Sequence, residues 1–169
     1  LNDKIPKLRA YIPDRYNEGY GISKKGIQEA QADGISLIIA LDCGVKAIEQ
    51  INYANSLEID FIICDHHLPG PQIPNALAVL DPKRKDCNYP FKELCGCGVG
   101  FKLVQALQKH FKSSELELLI YLDLVAIAIA ADIVPITGEN RTLTFLGLKQ
   151  LQNSPRLGLH LFIKDIKRP

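Results

Sequence analysis

The residues best suited to chemistry stand at the ends of apolar runs. Ile59 to Gly70 reads IDFIICDHHLPG, a β-type run that stops at Asp65, His66 and His67 before a proline and a glycine. Leu37 to Leu41, LIIAL, stops in the same way at Asp42-Cys43-Gly44. A further acid, Asp132, follows the most apolar part of the chain. Carboxylate oxygens with one or two imidazoles suit Mn²⁺ or Mg²⁺ better than a thiolate-rich zinc site. Clustered acids holding two such ions can hydrolyse phosphate esters, because metal-bound water becomes a strong nucleophile and the charge of the transition state is neutralised. Arg141 and His67 could add positive charge to the phosphoryl oxygens. A blander reading remains beside this one: Asp-His-His before a turn can be ordinary loop polarity.

These residues need elements to place them. Neither Leu37–Leu41 nor Phe61–Cys64 alternates in polarity, which predicts strands buried on both faces of a parallel sheet. Ligands bind outside the carboxyl ends of such strands, where the acids and histidines fall. Leu8–Ile12 is a short strand candidate, and Ser23 is a fitting N-cap for a helix through Ala32, with Gly34 as its stop. Val45–Leu57 has near-helical apolar spacing, and Ala76–Leu80 forms a fourth strand candidate closing on Asp81-Pro82. Strand and helix alternate as in βαβ units.

After the loop from Lys83 to Leu94, Cys95-Gly-Cys-Gly-Val-Gly100 opens a helix through about Phe111. Its glycines could admit a phosphate to backbone N–H groups or could serve close helix packing. Cys95 and Cys97 have no matching second pair and read as buried thiols rather than zinc ligands. Leu116–Ile136 is long and apolar, but Asp123, Asp132 and Pro135 point to a buried helix rather than a membrane span. At its end Asp132 would meet both a desolvation penalty and the unfavourable end of the helix dipole, unless it caps the helix exit or pairs with Arg141. Arg141–Gln152 has the pattern of an amphipathic helix.

Composition sets limits. The sequence has 169 residues, 47% hydrophobic and 23% charged, with a formal net charge of +1, which fits one globular domain and shows no basic footprint for nucleic acid. Five cysteines without regular spacing and no leader or lipidation motif point to the cytoplasm. Met is absent, so the chain reads as a segment of a longer protein.

The order Asp42-Cys43-Gly44, Asp65-His66-His67 and Ala131-Asp132-Ile-Val-Pro135 resembles motifs two, three and four of the DHH phosphoesterase superfamily. Tyr11 to Gly21 (YIPDRYNEGYG), Leu94 to Leu103 (LCGCGVGFKL) and Asp132 to Arg141 (DIVPITGENR) resemble its RecJ branch of single-strand exonucleases. The resemblance implies a Rossmann-like α/β fold, a mostly parallel sheet flanked by helices. It makes residues 1–169 a partial DHH domain that lacks its opening strand, its first Asp-rich motif and the C-terminal domains. It implies 5′ to 3′ hydrolysis of single-stranded DNA with Mn²⁺ or Mg²⁺ in recombination and repair, and little activity for this segment alone. By position, Asp42, His66 and Asp132 match metal ligands, while Asp65 matches a residue that orients a motif histidine. His67 matches the histidine near the scissile phosphate. Gly96, Gly98, Asn140 and Arg141 fall in motifs near the substrate groove. A missing opening strand would leave a sheet edge through which two copies could pair. Two rivals follow from the same residues: a DHH phosphoesterase for short oligonucleotides or cyclic dinucleotides, and a catalytically dead replication or DNA-binding scaffold.

Overall fold

The computed structural model describes residues 8–112, 114 and 116–165. The chain divides into two compact units, residues 1–87 and 88–169, where its length alone suggested one domain. The first carries helix α1 (Lys24–Ala32), strand β1 (Leu37–Leu41), helix α2 (Ile48–Ser56) and strands β2 (Asp60–Cys64) and β3 (Ala78–Leu80). The strands form one parallel sheet in the order β1-β2-β3, with Leu41 opposite Cys64 and Cys64 opposite Leu80, so the three carboxyl ends lie side by side. The α/β architecture of parallel sheet and flanking helices is therefore present.

Local sequence explains these elements. The Ser23 hydroxyl accepts the Gly26 N–H at 2.9 Å and caps α1. Ile27 of α1, Ile51 and Ala54 of α2, and Phe61 and Ile63 of β2 form a core whose burial favours the fold by roughly 1.5–3 kcal/mol per large side chain. In β1 only Ala40 is buried, while Leu37, Ile39 and Leu41, one period-2 row, are exposed. The expected burial of this strand on both faces is thus corrected: among the described residues β1 is an edge strand, and one of its faces lacks a covering layer. Residues 8–12 form no strand. They are tied to α1 by side chains instead, with Arg9 paired to Glu29 and Asp33 and the Tyr11 ring lying where a Cβ on Gly26 would stand 2.7 Å from it.

The second unit is helical: α3 (Gly96–His110), α4 (Leu116–Leu119), α5 (Leu122–Ala131), α6 (Gly138–Asn153) and α7 (Leu157–Asp165). The apolar stretch expected as one helix is broken between α4 and α5. The Ile120 carbonyl accepts a hydrogen bond from Arg156, whose guanidinium also holds the buried Asp123 carboxylate at 2.9 and 3.0 Å. That fork satisfies a chain break and an acid together. α5 and α6 approach closely at Gly147, where a Cβ would stand 2.1 Å from the Leu122 carbonyl oxygen.

Candidate metal centre

Asp42, His66 and His67 converge at the carboxyl ends of β1 and β2, each offering a ligand atom within 4.8 Å of the others. The parallel register puts them there: the Asp42 N–H donates to the Cys64 carbonyl at 2.8 Å, so the first residue past β1 lies beside the residues past β2. Asp42 takes a left-handed conformation, φ 64°, which turns the chain sharply off the strand. The Tyr20 hydroxyl donates to its carbonyl at 3.0 Å. Gly44 follows at φ 112°, packed so tightly that a Cβ would stand 2.9 Å from Ile22 Cδ1.

The three side chains differ in setting. His66 is buried, with Nε2 3.2 Å from Asp42 Oδ1. His67 is half-exposed, its ring centroid 4.5 Å from that of His66 and edge-on to Tyr20 at 6.2 Å. Its Nδ1 lies 2.6 Å from Asp65 Oδ1. A carboxylate demands a donor there, so Nδ1 carries a proton.

Asp65 is buried and acts as a hub. Its Oδ2 accepts the Val45 N–H at 2.9 Å, and its Oδ1 accepts the His66 and His67 N–H groups at 2.8 and 3.3 Å. Burial pushes its carboxyl pKa up, but these N–H groups and the His67 ring outweigh burial and hold it below the usual carboxylate value. One carboxylate thereby fixes the loop after β1 and the histidine loop after β2.

The donor set fits a hard divalent cation. Burial, then the charge of Asp65, raises the Cys43 and Cys64 thiols to about 11, with Asp42 adding to the effect at Cys43. The ligand atoms that converge are a carboxylate oxygen and imidazole nitrogens, with no thiol sulfur in the group. Cys43 and Cys64 are thiols outside any disulfide. Beside the cluster an open pocket of about 220 Å³ is lined by Arg15, Tyr20, Leu41 and Asp42 among others, and the Arg15 guanidinium lies 5.4 Å from the Tyr20 ring centroid. Sequence reasoning did not single out Tyr20 beyond its place in a motif. Its distance of 22 positions from Asp42 gives no periodic signal.

The remaining candidates lie in the second unit. Asp132 is the C-cap of α5, its N–H donating to the Ala128 carbonyl at 2.9 Å. It is exposed, so the desolvation expected for it does not arise. Ile133 follows at φ 55°, a rare conformation for a β-branched residue. Gly96 and Gly98 are buried in the first turn of α3, and the Gly98 N–H donates to the Cys95 sulfur at 3.3 Å. Asn140 is fully buried, its amide donating to the Pro135 carbonyl at 3.0 Å and to that of Glu93. It thereby joins two loops. Arg141, in the first turn of α6, is exposed.

The profile described as "DHH family, N-terminal domain" matches residues 1–129. The single-stranded-DNA-specific exonuclease RecJ of Bacillus subtilis is 45% identical over 154 residues, 91% of this chain and 19% of that protein. RecJ of Escherichia coli is 38% identical over 150 residues, 83% of this chain and 26% of that protein. A crystal structure of exonuclease RecJ bound to manganese superposes with a TM-score of 0.79 at 32% identity, covering 91% of this chain and 38% of that one. RecJ from Thermus thermophilus in complex with Mn²⁺ gives 0.73 at 28% identity, with 86% and 22% covered. The chain thus spans well under half the length of each of these relatives.

Proposed function

We infer function from a premise of kinship: this chain belongs to the DHH family, whose N-terminal domain profile matches residues 1–129. Within that family it contributes part of the active site of a metal-dependent phosphodiesterase that degrades single-stranded DNA from the 5′ end. The observation that carries this reading is the convergence of Asp42, His66 and His67 on adjacent strand ends. The similarity to RecJ proteins named as single-stranded-DNA-specific exonucleases supplies the substrate class.

Asp42 and His66 would hold Mn²⁺ or Mg²⁺ in the first unit, and Asp132 is by its motif position a further candidate metal-binding carboxylate. A bound divalent ion supplies Lewis-acid charge and a low-pKa water for attack on phosphorus. Asp65 holds the loops that present these ligands and keeps His67 Nε2 turned toward the cluster, where it can meet the scissile phosphate. Arg141 adds positive charge for the phosphoryl oxygens, and the Gly96, Gly98 and Asn140 segments shape the substrate groove. The work belongs to DNA recombination and repair in the cytoplasm. Among the described residues no helix is long and apolar enough to cross a membrane. The position of β1 at the sheet edge among the described residues is what would let two copies pair edge to edge, which light scattering of the isolated chain would check; a monomer at high concentration overturns it.

The test is a Mn²⁺-dependent assay on 5′-labelled single-stranded DNA, comparing the full-length protein with residues 1–169 alone. The full-length protein should release nucleotides from the 5′ end, and the segment should show little or no turnover. A full-length protein that spares single-stranded DNA and cleaves dinucleotides would redirect the assignment to a small-substrate phosphodiesterase.

A further inference from the structure

Sheet order places His66 between two carboxylates. The strands run β1-β2-β3, so a residue just past β2 has the β1 tip, Asp42, on one side and the β3 tip, Asp81, on the other. The ladder continues beyond the strands: the Asp65 N–H donates to the Leu80 carbonyl at 3.0 Å, which sets Asp81 alongside the Asp-His-His loop. Asp81 is 3% exposed. Its Oδ1 accepts the Lys83 N–H at 2.8 Å, whereas its Oδ2 is fully buried with no hydrogen-bond partner among the described residues. Burial is the main cause that raises its carboxyl pKa, Asp65 adds to it, and His66 is among the groups that oppose it, so Asp81 lies within electrostatic reach of the motif.

A buried carboxylate oxygen without a donor is costly, and its retention asks for a reason. The two nitrogens of an imidazole point in divergent directions. His66 Nε2 is turned to Asp42, so Nδ1 is turned away from β1. Metal-bound histidines donate their other ring N–H to a carboxylate or carbonyl that fixes tautomer and orientation. Asp65 supplies that service to His67. Resting on the metal-centre reading above, we propose that Asp81 is the positioning residue of His66: in the metal-loaded site its Oδ2 accepts the His66 Nδ1–H and holds Nε2 toward Asp42 and the ion. Each histidine of the motif then has its own buried acid, Asp65 from the same loop for His67 and Asp81 from the neighbouring strand for His66.

The experiment uses the full-length protein and its Asp81→Asn and Asp81→Leu variants, with Mn²⁺ affinity read by paramagnetic resonance of the free ion. Asp81→Leu should weaken binding by about 10–100-fold, the usual cost of losing such a partner, while Asp81→Asn, whose amide oxygen still accepts, should stay within about threefold of wild type. A folded Asp81→Leu protein with wild-type affinity overturns the proposal, as does an Asp81→Asn variant as weak as Asp81→Leu. The second readout needs no substitution at Asp81. In ¹⁵N-histidine-labelled, Mg²⁺-loaded protein, the His66 signals, assigned by their loss in His66→Gln, should show a protonated Nδ1. An Nε2–H tautomer overturns the proposal even if Asp81→Leu fails to fold. Absence of Mn²⁺ binding by the wild-type protein would instead overturn the metal-centre reading, and the role of Asp81 with it.

Discussion

Asp42 and Asp65 are the same residue type, each placed just past the end of one of two paired strands, and they have opposite surroundings. Asp42 is about half exposed, sits in a left-handed turn and aims its carboxylate at the histidines. Asp65 is 1% exposed and takes three main-chain N–H groups and an imidazole. The first is placed to offer an oxygen to a ligand held with the histidines. The second has spent its oxygens on the two loops. An acid at a strand tip is thus made a ligand or a scaffold by its donors and its burial, and residue identity alone does not separate the two.

The largest effect should come from breaking the scaffold. Asp65→Ala leaves the Val45, His66 and His67 N–H groups without their acceptor and should cost about 3–5 kcal/mol in urea unfolding, along with activity. Asp42→Asn should do the reverse. Asparagine tolerates the left-handed turn, so the unfolding midpoint should stay within about 0.5 kcal/mol, while nuclease turnover falls at least about 100-fold. If the two substitutions perturb stability equally, the division between ligand and scaffold is lost.

Gly44→Ala probes the turn that Asp65 secures through Val45. At φ 112° and with Ile22 and Ile63 against the new Cβ, it should destabilise the protein by about 1–3 kcal/mol in thermal unfolding. The smallest effects are on pH dependence. The Asp65 carboxyl is depressed on folding, so its contribution is complete above the unfolded carboxylate range near 3.8 and fades as pH falls toward its lower folded value. Glu18, pushed down to about 2 by the Ser23 and Tyr11 hydroxyls and the Asp14 N–H, follows the same sign between about 4.5 and 2. Acid titration of unfolding should therefore be less steep in Asp65→Asn and in Glu18→Gln than in wild type.

Legibility from sequence followed the range of the interaction that decides each feature. The β1 and β2 runs, the Ser23 cap, the acids and histidines at the strand tips and the α3 and α6 patterns could be read locally, because apolar runs, caps and turn residues act over a few positions. The break between α4 and α5 could not, since it depends on Arg156, 36 positions beyond Ile120. Nor could the fate of residues 8–12, whose side chains take partners on α1 and not in a strand ladder. The exposure of one β1 face likewise depends on which elements cover the sheet, among the described residues.

For the site the division is sharper. Sequence by itself determined which groups stand at the strand ends, because covalent order places Asp42, Asp65, His66 and His67 directly after apolar runs. Only the tertiary structure decided that Asp65 serves Val45 and His67, that His66 faces Asp42, and that Asp81 is buried past the third strand end. Those relations arise from strand order and register. Parallel pairing brings together residues 23 positions apart for β1 and β2 and 16 apart for β2 and β3, and no local pattern records which neighbour each strand receives.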